Sequence, residues 1–263
     1  MKTSKKASIA IVGGSGFESL TEATQPVRVG TPHGIPSAIQ IGEVAGKRVA
    51  FLARHGSGHE TPPHKVNYRA NIFALYKLGV RRVFATNAVG GINKRLEPGD
   101  LVVPHDFIDF TKTRRATFYD DAPVTHVDMS QPYCPEIRNA VIEAANSVGD
   151  KVWDTSVLAC TEGPRYETPA EVRMLSRLGC DIVGMTGVPE VVLARELEMC
   201  YASLCYVSNK AAGLQEHQTV HELTEIAAKK KSAIKQVLKE AIVLLPKKRS
   251  CTCAHALEDA RLR

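Results

Sequence analysis

The sequence lacks the long apolar run that a membrane protein needs. None of its hydrophobic stretches approaches the ~20 consecutive residues of a membrane-spanning helix. The lysine-rich residues 1–6 lead into a strand-like run that ends in glycines instead of a signal-peptide cleavage site. Internal repeats, low-complexity tracts and recognisable linkers are also missing. We therefore expect a cytoplasmic protein with no membrane contact.

One large α/β domain fits the length and composition. The chain has 263 residues, of which 44% are hydrophobic and 24% charged, which is enough to bury a full core. We assign residues 1–250 to this domain. Residues 251–263 carry turn, charge and cysteine signals, and we expect them to form a poorly ordered C-terminal tail.

Short apolar runs bounded by glycine or proline alternate with helical patterns. The runs predict strands at residues 8–12, 48–52, 83–86, 100–103, 154–159, 182–185 and 201–207. The helical patterns predict helices at residues 68–78, 136–148, 169–178, 190–198 and 220–245. This alternation favours a largely parallel, mixed and twisted sheet flanked by helices, with ligands at the carboxyl ends of the strands. Residues 112–132 have little periodicity and predict a long loop that is functional or flexible.

The net charge of +6 raises nucleic-acid binding as a second function class. The basic residues are scattered except for the runs at 229–231 and 247–249, which we interpret as solvated helix and tail surface. A basic balance also assists the approach of small anions such as phosphate. Affinity for an unrelated duplex, with its salt dependence, would distinguish the two classes.

Seven cysteines are many for a cytosolic protein. Five lie in or beside apolar stretches, where a free thiol behaves as a small hydrophobe: Cys134, Cys160, Cys180, Cys200 and Cys205. Cys251 and Cys253 form a close pair in the polar tail. Only His255 lies near them at a usual zinc spacing, so we expect no metal at this pair. A disulfide or a redox-linked pair in the tail remains open.

Two polar motifs follow the first two predicted buried strands. Gly13-Gly14-Ser15-Gly16 can bring backbone amides and the Ser15 hydroxyl to an anion. It is neither Gly-x-Gly-x-x-Gly nor a Walker loop, which needs a lysine, so a purely structural turn is the alternative. Arg54 offers a planar fork that matches phosphate oxygens, and His55 can donate from a ring nitrogen.

Five motifs occur in an order that resembles the trimeric purine nucleoside phosphorylase and methylthioadenosine phosphorylase family. They are IVGGSG at 11–16, LARHG at 52–56, TNAVGG at 86–91, EGPRYE at 162–167 and GMTGVPE at 184–190. The likeness covers residues 8 to 245 and implies the single-domain fold of that family. It also implies phosphorolysis of an N-glycosidic bond, which uses phosphate as a co-substrate and releases a purine and a pentose 1-phosphate. This reaction needs no metal and no organic cofactor.

The resemblance also assigns roles to individual residues. It implies phosphate contacts from Ser15, Arg54, His55, Asn87, Ala88 and Thr186. It implies nucleoside contacts from Tyr166, Met185, His126, Leu223 and Ile226. His126 matches a position that reaches into a neighbouring subunit, which implies a homotrimer or a dimer of trimers. Core or loop packing is the alternative role for Met185 and Tyr166.

Glu167 and Asn209 indicate which purine is accepted. In the family this resembles, 6-oxopurine enzymes carry this Glu and Asn, whereas 6-aminopurine enzymes carry Asp in place of Asn209. A carboxylate suits the N1–H donor of hypoxanthine or guanine and an amide suits O6, whereas adenine inverts both groups. We assign the catalytic role to this pair. The alternative is that Asn209 only turns the chain.

The 5′ substituent stays open between methylthio and hydroxyl groups. In the family this chain resembles, nucleoside enzymes offer a histidine to the 5′-hydroxyl, and methylthio enzymes line that space with apolar residues from the start of the last helix. This chain has both types there, His217 and His221 on the one hand and Val220, Leu223 and Ile226 on the other. We expect S-methyl-5′-thioinosine to be the preferred substrate, followed by inosine and guanosine. S-Methyl-5′-thioadenosine is the alternative substrate.

Overall fold

A computed structural model describes residues 6–13, 20–21, 24–56, 58, 60–217 and 219–261, without the side chains of Val220 and Leu223. Eleven strands in this part of the chain form one sheet. They are β1 (Ile9–Gly13), β2 (Gln25–Val27), β3 (Ile39–Val44), β4 (Lys47–Ala53), β5 (Arg82–Gly91), β6 (Leu101–Val102), β7 (Asp106–Asp109), β8 (Val152–Trp153), β9 (Val157–Cys160), β10 (Ile182–Gly184) and β11 (Cys200–Lys210).

Five α-helices of the described residues cover the sheet. They are α1 (Tyr68–Lys77), α2 (Pro135–Ser147), α3 (Pro169–Arg177), α4 (Gly187–Glu196) and α5 (Val220–Leu244). Local signals begin several of them: Asn67 caps α1, and Thr168 forms a reciprocal capping box with Glu171 at the start of α3. Short 3-10 helices lie at Pro63–Lys65 and Thr252–His255.

The sheet is mixed and mainly parallel, as predicted. The main path runs β2-β3-β4-β1-β5-β10-β9-β7, and β11 joins β5 to β6, which pairs with β8. Strand β1 is parallel to β4 and β5, and β11 is parallel to β5. Helices α2 and α5 pack in one core cluster, and helices α1 and α4 pack in another. Because both clusters contain residues of the central strands, β1, β5 and β11 are apolar along most of their length.

Four strands were not predicted, namely β2, β3, β7 and β8. Three of them are only two to four residues long. Strand β3 is longer but half-buried, and it pairs with β4 through a tight turn in which Ala45 and Gly46 both have positive φ. These strands form by pairing with neighbouring strands of the sheet, and no continuous apolar run in the sequence predicts them.

The expectation of a poorly ordered polar tail is wrong for residues 251–261. Cys251 and Cys253 are 9% and 2% exposed and belong to the core cluster that includes α2 and α5. The backbone N–H of His126 donates to the carbonyl of Ala260 at 2.7 Å, which ties this segment to the long loop. Among the described residues, no helix is both long and apolar enough to cross a membrane.

Candidate active site

A cavity of about 660 Å³ opens at the carboxyl ends of the parallel strands, where ligands of such sheets bind. It is lined by polar side chains in or just after the carboxyl-terminal parts of β4, β5, β10 and β11. The loop after β9 and one face of α5 complete the lining. The lining includes Arg54, His55, Thr86, Asn87, Ala88, Tyr166, Glu167, Met185, Thr186, Ser208, Asn209, Thr224, Ala227, Lys231 and Ile234.

Arg54 is a buried cation held by a buried carboxylate. Its Nε and Nη2 donate to the two oxygens of Glu190, and its Nη1 donates to the carbonyl of Thr86 at 3.1 Å. Burial alone would lower the pKa of Arg54, but the charge and hydrogen bonds of Glu190 raise it above its ordinary value. These contacts use three of five N–H groups, so the guanidinium can present a fixed positive charge to an anion.

A short hydrogen-bond chain orients Asn87 beside Arg54. The Ser203 hydroxyl donates to Asn87 Oδ1 at 2.8 Å, and Asn87 Nδ2 donates to Thr186 Oγ1 at 2.8 Å. All three side chains are buried. Because Asn87 Nδ2 supplies its proton, the Thr186 hydroxyl can donate its own into the cavity.

His55 lies beside the same region of the cavity. Its Nδ1 is 2.8 Å from the carbonyl of Thr61, an interaction in which the ring nitrogen carries the proton. This contact fixes the orientation of the imidazole and leaves Nε2 on the other side of the ring.

Glu167 is buried and is oriented by a residue that the sequence did not single out. The Thr161 hydroxyl donates to Glu167 Oε1 at 2.6 Å. The backbone N–H of Thr161 also donates to the carbonyl of Gly184 at 2.9 Å, which links this loop to β10. The carboxylate therefore has one oxygen fixed by the protein and a second that can accept from a ligand.

A bulge in β11 brings Asn209 to the cavity. The pairing of β11 with β5 shifts between Val207 and Asn209, with Ser208 as the extra residue. Simple alternation would put Asn209 on the same sheet face as Val207, a core residue, and a bulge re-aims the side chain. The Ser208 hydroxyl donates to Asn209 Oδ1 at 2.6 Å, and Asn209 Nδ2 donates to the Lys210 carbonyl at 2.9 Å. One N–H and one lone pair of the amide then remain for a ligand.

Tyr166 and Met185 line the cavity from two adjacent loops. Tyr166 is 37% exposed, so its ring has a surface available for stacking. Met185 lies against Gly163, which has a positive φ of 64° and where an added Cβ would come within 2.6 Å of the Met185 sulfur. Glycine at this position therefore permits the close approach of the two loops.

Arg114 anchors part of the long loop, a role that sequence reasoning missed. It donates to the carbonyl of Met185 and to those of Thr161 and Glu162, the latter two at 3.2 and 2.7 Å. One buried cation thus holds together the backbone segments that carry the cavity residues. Residues 112–118 are a structured part of the site's support.

Some predicted site residues are not brought to this cavity. His126 is exposed, and neither it nor Ile226 is part of the lining formed by the described residues. Ser15 and the side chain of Leu223 lie outside the described residues. Among the described side chains of α5, those of Thr224, Ala227, Lys231 and Ile234 line the cavity. Lys231 belongs to a basic run that we had interpreted as helix surface, and only the spacing along α5 could have indicated its position.

Comparison with known proteins agrees with this geometry. A family model described as the phosphorylase superfamily matches residues 8–243. A probable S-methyl-5′-thioinosine phosphorylase from Methanothermobacter thermautotrophicus is 51% identical over 256 residues, covering 96% of this chain and 89% of the relative. The 6-oxopurine nucleoside phosphorylase of Pyrococcus furiosus is 50% identical over 261 residues, covering 96% and 98%.

A solved structure has the same fold. It is a methylthioadenosine phosphorylase from an Antarctic soil metagenomic library, and it matches with a TM-score of 0.92 and 36% identity over 98% of this chain and 93% of that one.

Proposed function

This chain belongs to the phosphorylase superfamily, and from that premise we propose that it cleaves 6-oxopurine nucleosides with phosphate, S-methyl-5′-thioinosine first among them. The products are hypoxanthine and a 5-methylthioribose 1-phosphate. The observation that carries the proposal is that Glu167 and Asn209, distant in sequence, line one cavity with hydroxyl groups fixing an oxygen of each.

The pair matches the hydrogen-bonding edge of a 6-oxopurine. The remaining Glu167 oxygen accepts from N1–H, and the Asn209 amide donates to O6 and accepts from a protonated N7. Adenine would leave these buried groups unpaired, and sites built on such bonds discriminate by up to ~10⁴ to 10⁵. The relatives named as methylthioinosine and 6-oxopurine phosphorylases support this specificity.

Charge development explains how the residues accelerate the reaction. As the glycosidic bond breaks, positive charge builds on the sugar and negative charge on the base. Phosphate held by Arg54, His55, Asn87, Ala88 and Thr186 stabilises the first, and Asn209 stabilises the second. Because Asn209 meets a protonated N7 only as the base leaves, its contact acts chiefly in the transition state. Tyr166 stacks on the base and Met185 lies under the sugar.

The residues near α5 favour a methylthio group at the 5′ position. The histidines that could serve a hydroxyl, His217 and His221, are exposed and do not line the cavity of the described residues. Ala227 and Ile234 do line it and offer apolar surface.

A second candidate is S-methyl-5′-thioadenosine phosphorylase, because the metagenomic enzyme, which is 36% identical to this chain, is named a methylthioadenosine phosphorylase. Parallel rates with methylthioinosine, inosine, guanosine and methylthioadenosine, each with and without phosphate, test both candidates. We expect phosphate-dependent release of hypoxanthine from methylthioinosine to be fastest. Equal rates for methylthioinosine and methylthioadenosine would contradict the proposal.

A further inference from the structure

Four of the seven cysteines meet at one point of the core, away from the cavity. Cys134 precedes α2, Cys200 begins β11, and Cys251 and Cys253 lie in the C-terminal segment. Their sulfur atoms all lie within 4.8 Å of one another, and all four residues are buried. We call this group the four-cysteine cluster. The sequence concealed it, because its members come from three segments that are far apart along the chain.

The spacing of the sulfur atoms fits a shared ligand in the middle. Cys134 Sγ and Cys200 Sγ lie 3.7 and 3.4 Å from Cys251 Sγ. A disulfide would need about 2.05 Å, and all four cysteines are free thiols. Four thiolates around zinc, each about 2.3 Å from the metal, lie about 3.8 Å apart in a tetrahedron. The observed separations are therefore close to those of a tetrahedral thiolate site.

The surroundings of the cluster suit a group with negative charge. The guanidinium of Arg195, which is 4% exposed, lies 3.7 Å from the Cys253 sulfur. Nη1 of Arg249 lies 4.0 Å from the Cys200 sulfur. Asp128 lies 3.7 Å from Arg195 but is largely exposed, so the cluster itself is the buried partner of that cation. Four thiolates and one divalent cation carry a net charge of −2, which the two arginines balance.

Cysteine binds metal as the thiolate, so metal binding releases the protons that the four thiols carry.

We propose that the four-cysteine cluster holds a structural zinc ion that fastens the C-terminal segment to α2 and β11. Four protein ligands close a tetrahedral site, which leaves no position for water or substrate and suits a structural role. Soft thiolate ligands in this arrangement select zinc over magnesium, calcium or manganese. The proposal departs from the expectation of a metal-free protein, which considered only the local spacing around Cys251 and Cys253.

The fastened segment reaches the long loop. Thr125 pairs with Arg261, and the N–H of His126 donates to Ala260, so the segment that the zinc secures also supports residues 125–126. Loss of the metal should therefore loosen this loop in addition to the C-terminus.

Metal analysis of the full-length protein, purified with a thiol reductant and without chelator, tests the proposal. We expect about one zinc per chain, and less than a tenth of that in the double variant Cys251→Ser/Cys253→Ser. Cys180→Ala, which removes a buried thiol outside the cluster, should keep the full zinc content. Cobalt added to protein unfolded and stripped of metal should, on refolding, give the absorption of a tetrahedral thiolate complex.

Thiol titration of the unmodified protein keeps the proposal testable even if the double variant folds poorly. Stepwise addition of a mercurial thiol reagent should release zinc in proportion to the modification of four thiols, and Cys180→Ala should release the same amount. A metal-free protein with four free cluster thiols would overturn the proposal. Two disulfides detected by mass after alkylation, or iron in place of zinc, would overturn it as well.

Discussion

Arg54 and Glu190 form a bidentate ion pair in which both side chains are almost fully buried, 2% and 0% exposed. Glu190 also accepts from the Tyr201 hydroxyl at 2.8 Å. The carboxylate neutralises the guanidinium in the folded protein and fixes its plane. Arg54 is thus a preorganised cation in the cavity, and Glu190 positions it.

Substitution of this cation should separate phosphate binding from nucleoside binding. We expect Arg54→Ala to raise the phosphate KM roughly ten- to a hundredfold, since a hydrogen bond from a charged group contributes ~1.5–3 kcal/mol, with a smaller change for the nucleoside. Stability should also fall, because an unpaired buried Glu190 costs ~3–5 kcal/mol. Steady-state kinetics with Arg138→Ala, a partly buried arginine outside the cavity, supply the control. An unchanged phosphate KM with a collapse of nucleoside binding would refute the assignment.

Asn209 should decide which base is cleaved. Asn209→Asp replaces the NH2 donor by an acceptor, so cleavage of methylthioinosine should slow by ~10² to 10³, and the preference over methylthioadenosine should shrink or reverse. The ratio of kcat/KM values for the two substrates measures this. Asn146→Asp adds the same charge on the exposed face of α2 and should leave the ratio unchanged. An Asn209→Asp variant with the original ratio would argue against the proposed base contact.

Thr161 should act through Glu167 and not on substrate directly. Thr161→Val removes the hydroxyl that fixes the carboxylate, so selectivity for the 6-oxopurine should drop by about fivefold, as expected for one hydrogen bond worth ~1 kcal/mol. Thr161→Ser should restore it. Thr113, whose hydroxyl donates to Glu162 at 2.7 Å outside the cavity, is the matched control. If Thr113→Val and Thr161→Val change selectivity alike, the positioning role fails.

The family resemblance implies that His126, which is exposed in its own chain, serves a neighbouring subunit. Mixed oligomers of His126→Ala and Asn209→Ala subunits would contain some pockets with both lesions and others with neither. After subunit exchange, the mixture should then be more active than the His126→Ala protein or the Asn209→Ala protein alone. The control is the same mixture measured before the subunits exchange. No recovery in samples shown by mass measurement to contain heterotrimers would exclude a shared site.

Local sequence determined much of the fold and the chemistry of the cavity. The apolar runs of β1, β4, β5 and β11 are buried on both faces, and such runs are identifiable without tertiary information. The motifs LARHG, EGPRYE and GMTGVPE lie at or after the carboxyl ends of strands, and TNAVGG forms the second half of β5. The family that the five motifs indicated is confirmed. The family resemblance identified Glu167 and Asn209 as a pair, and their chemistry complements one base.

Only the tertiary structure decided how these residues are held and what else they meet. The bulge at Ser208 depends on the register of β11 against β5, and the partnership of Arg54 with Glu190 joins residues 136 positions apart. The four-cysteine cluster combines the start of β11, the residue before α2 and the C-terminal segment. Sequence patterns report the neighbours of a residue along a helix or strand, whereas these contacts arise from the packing of distant elements, which local periodicity does not encode.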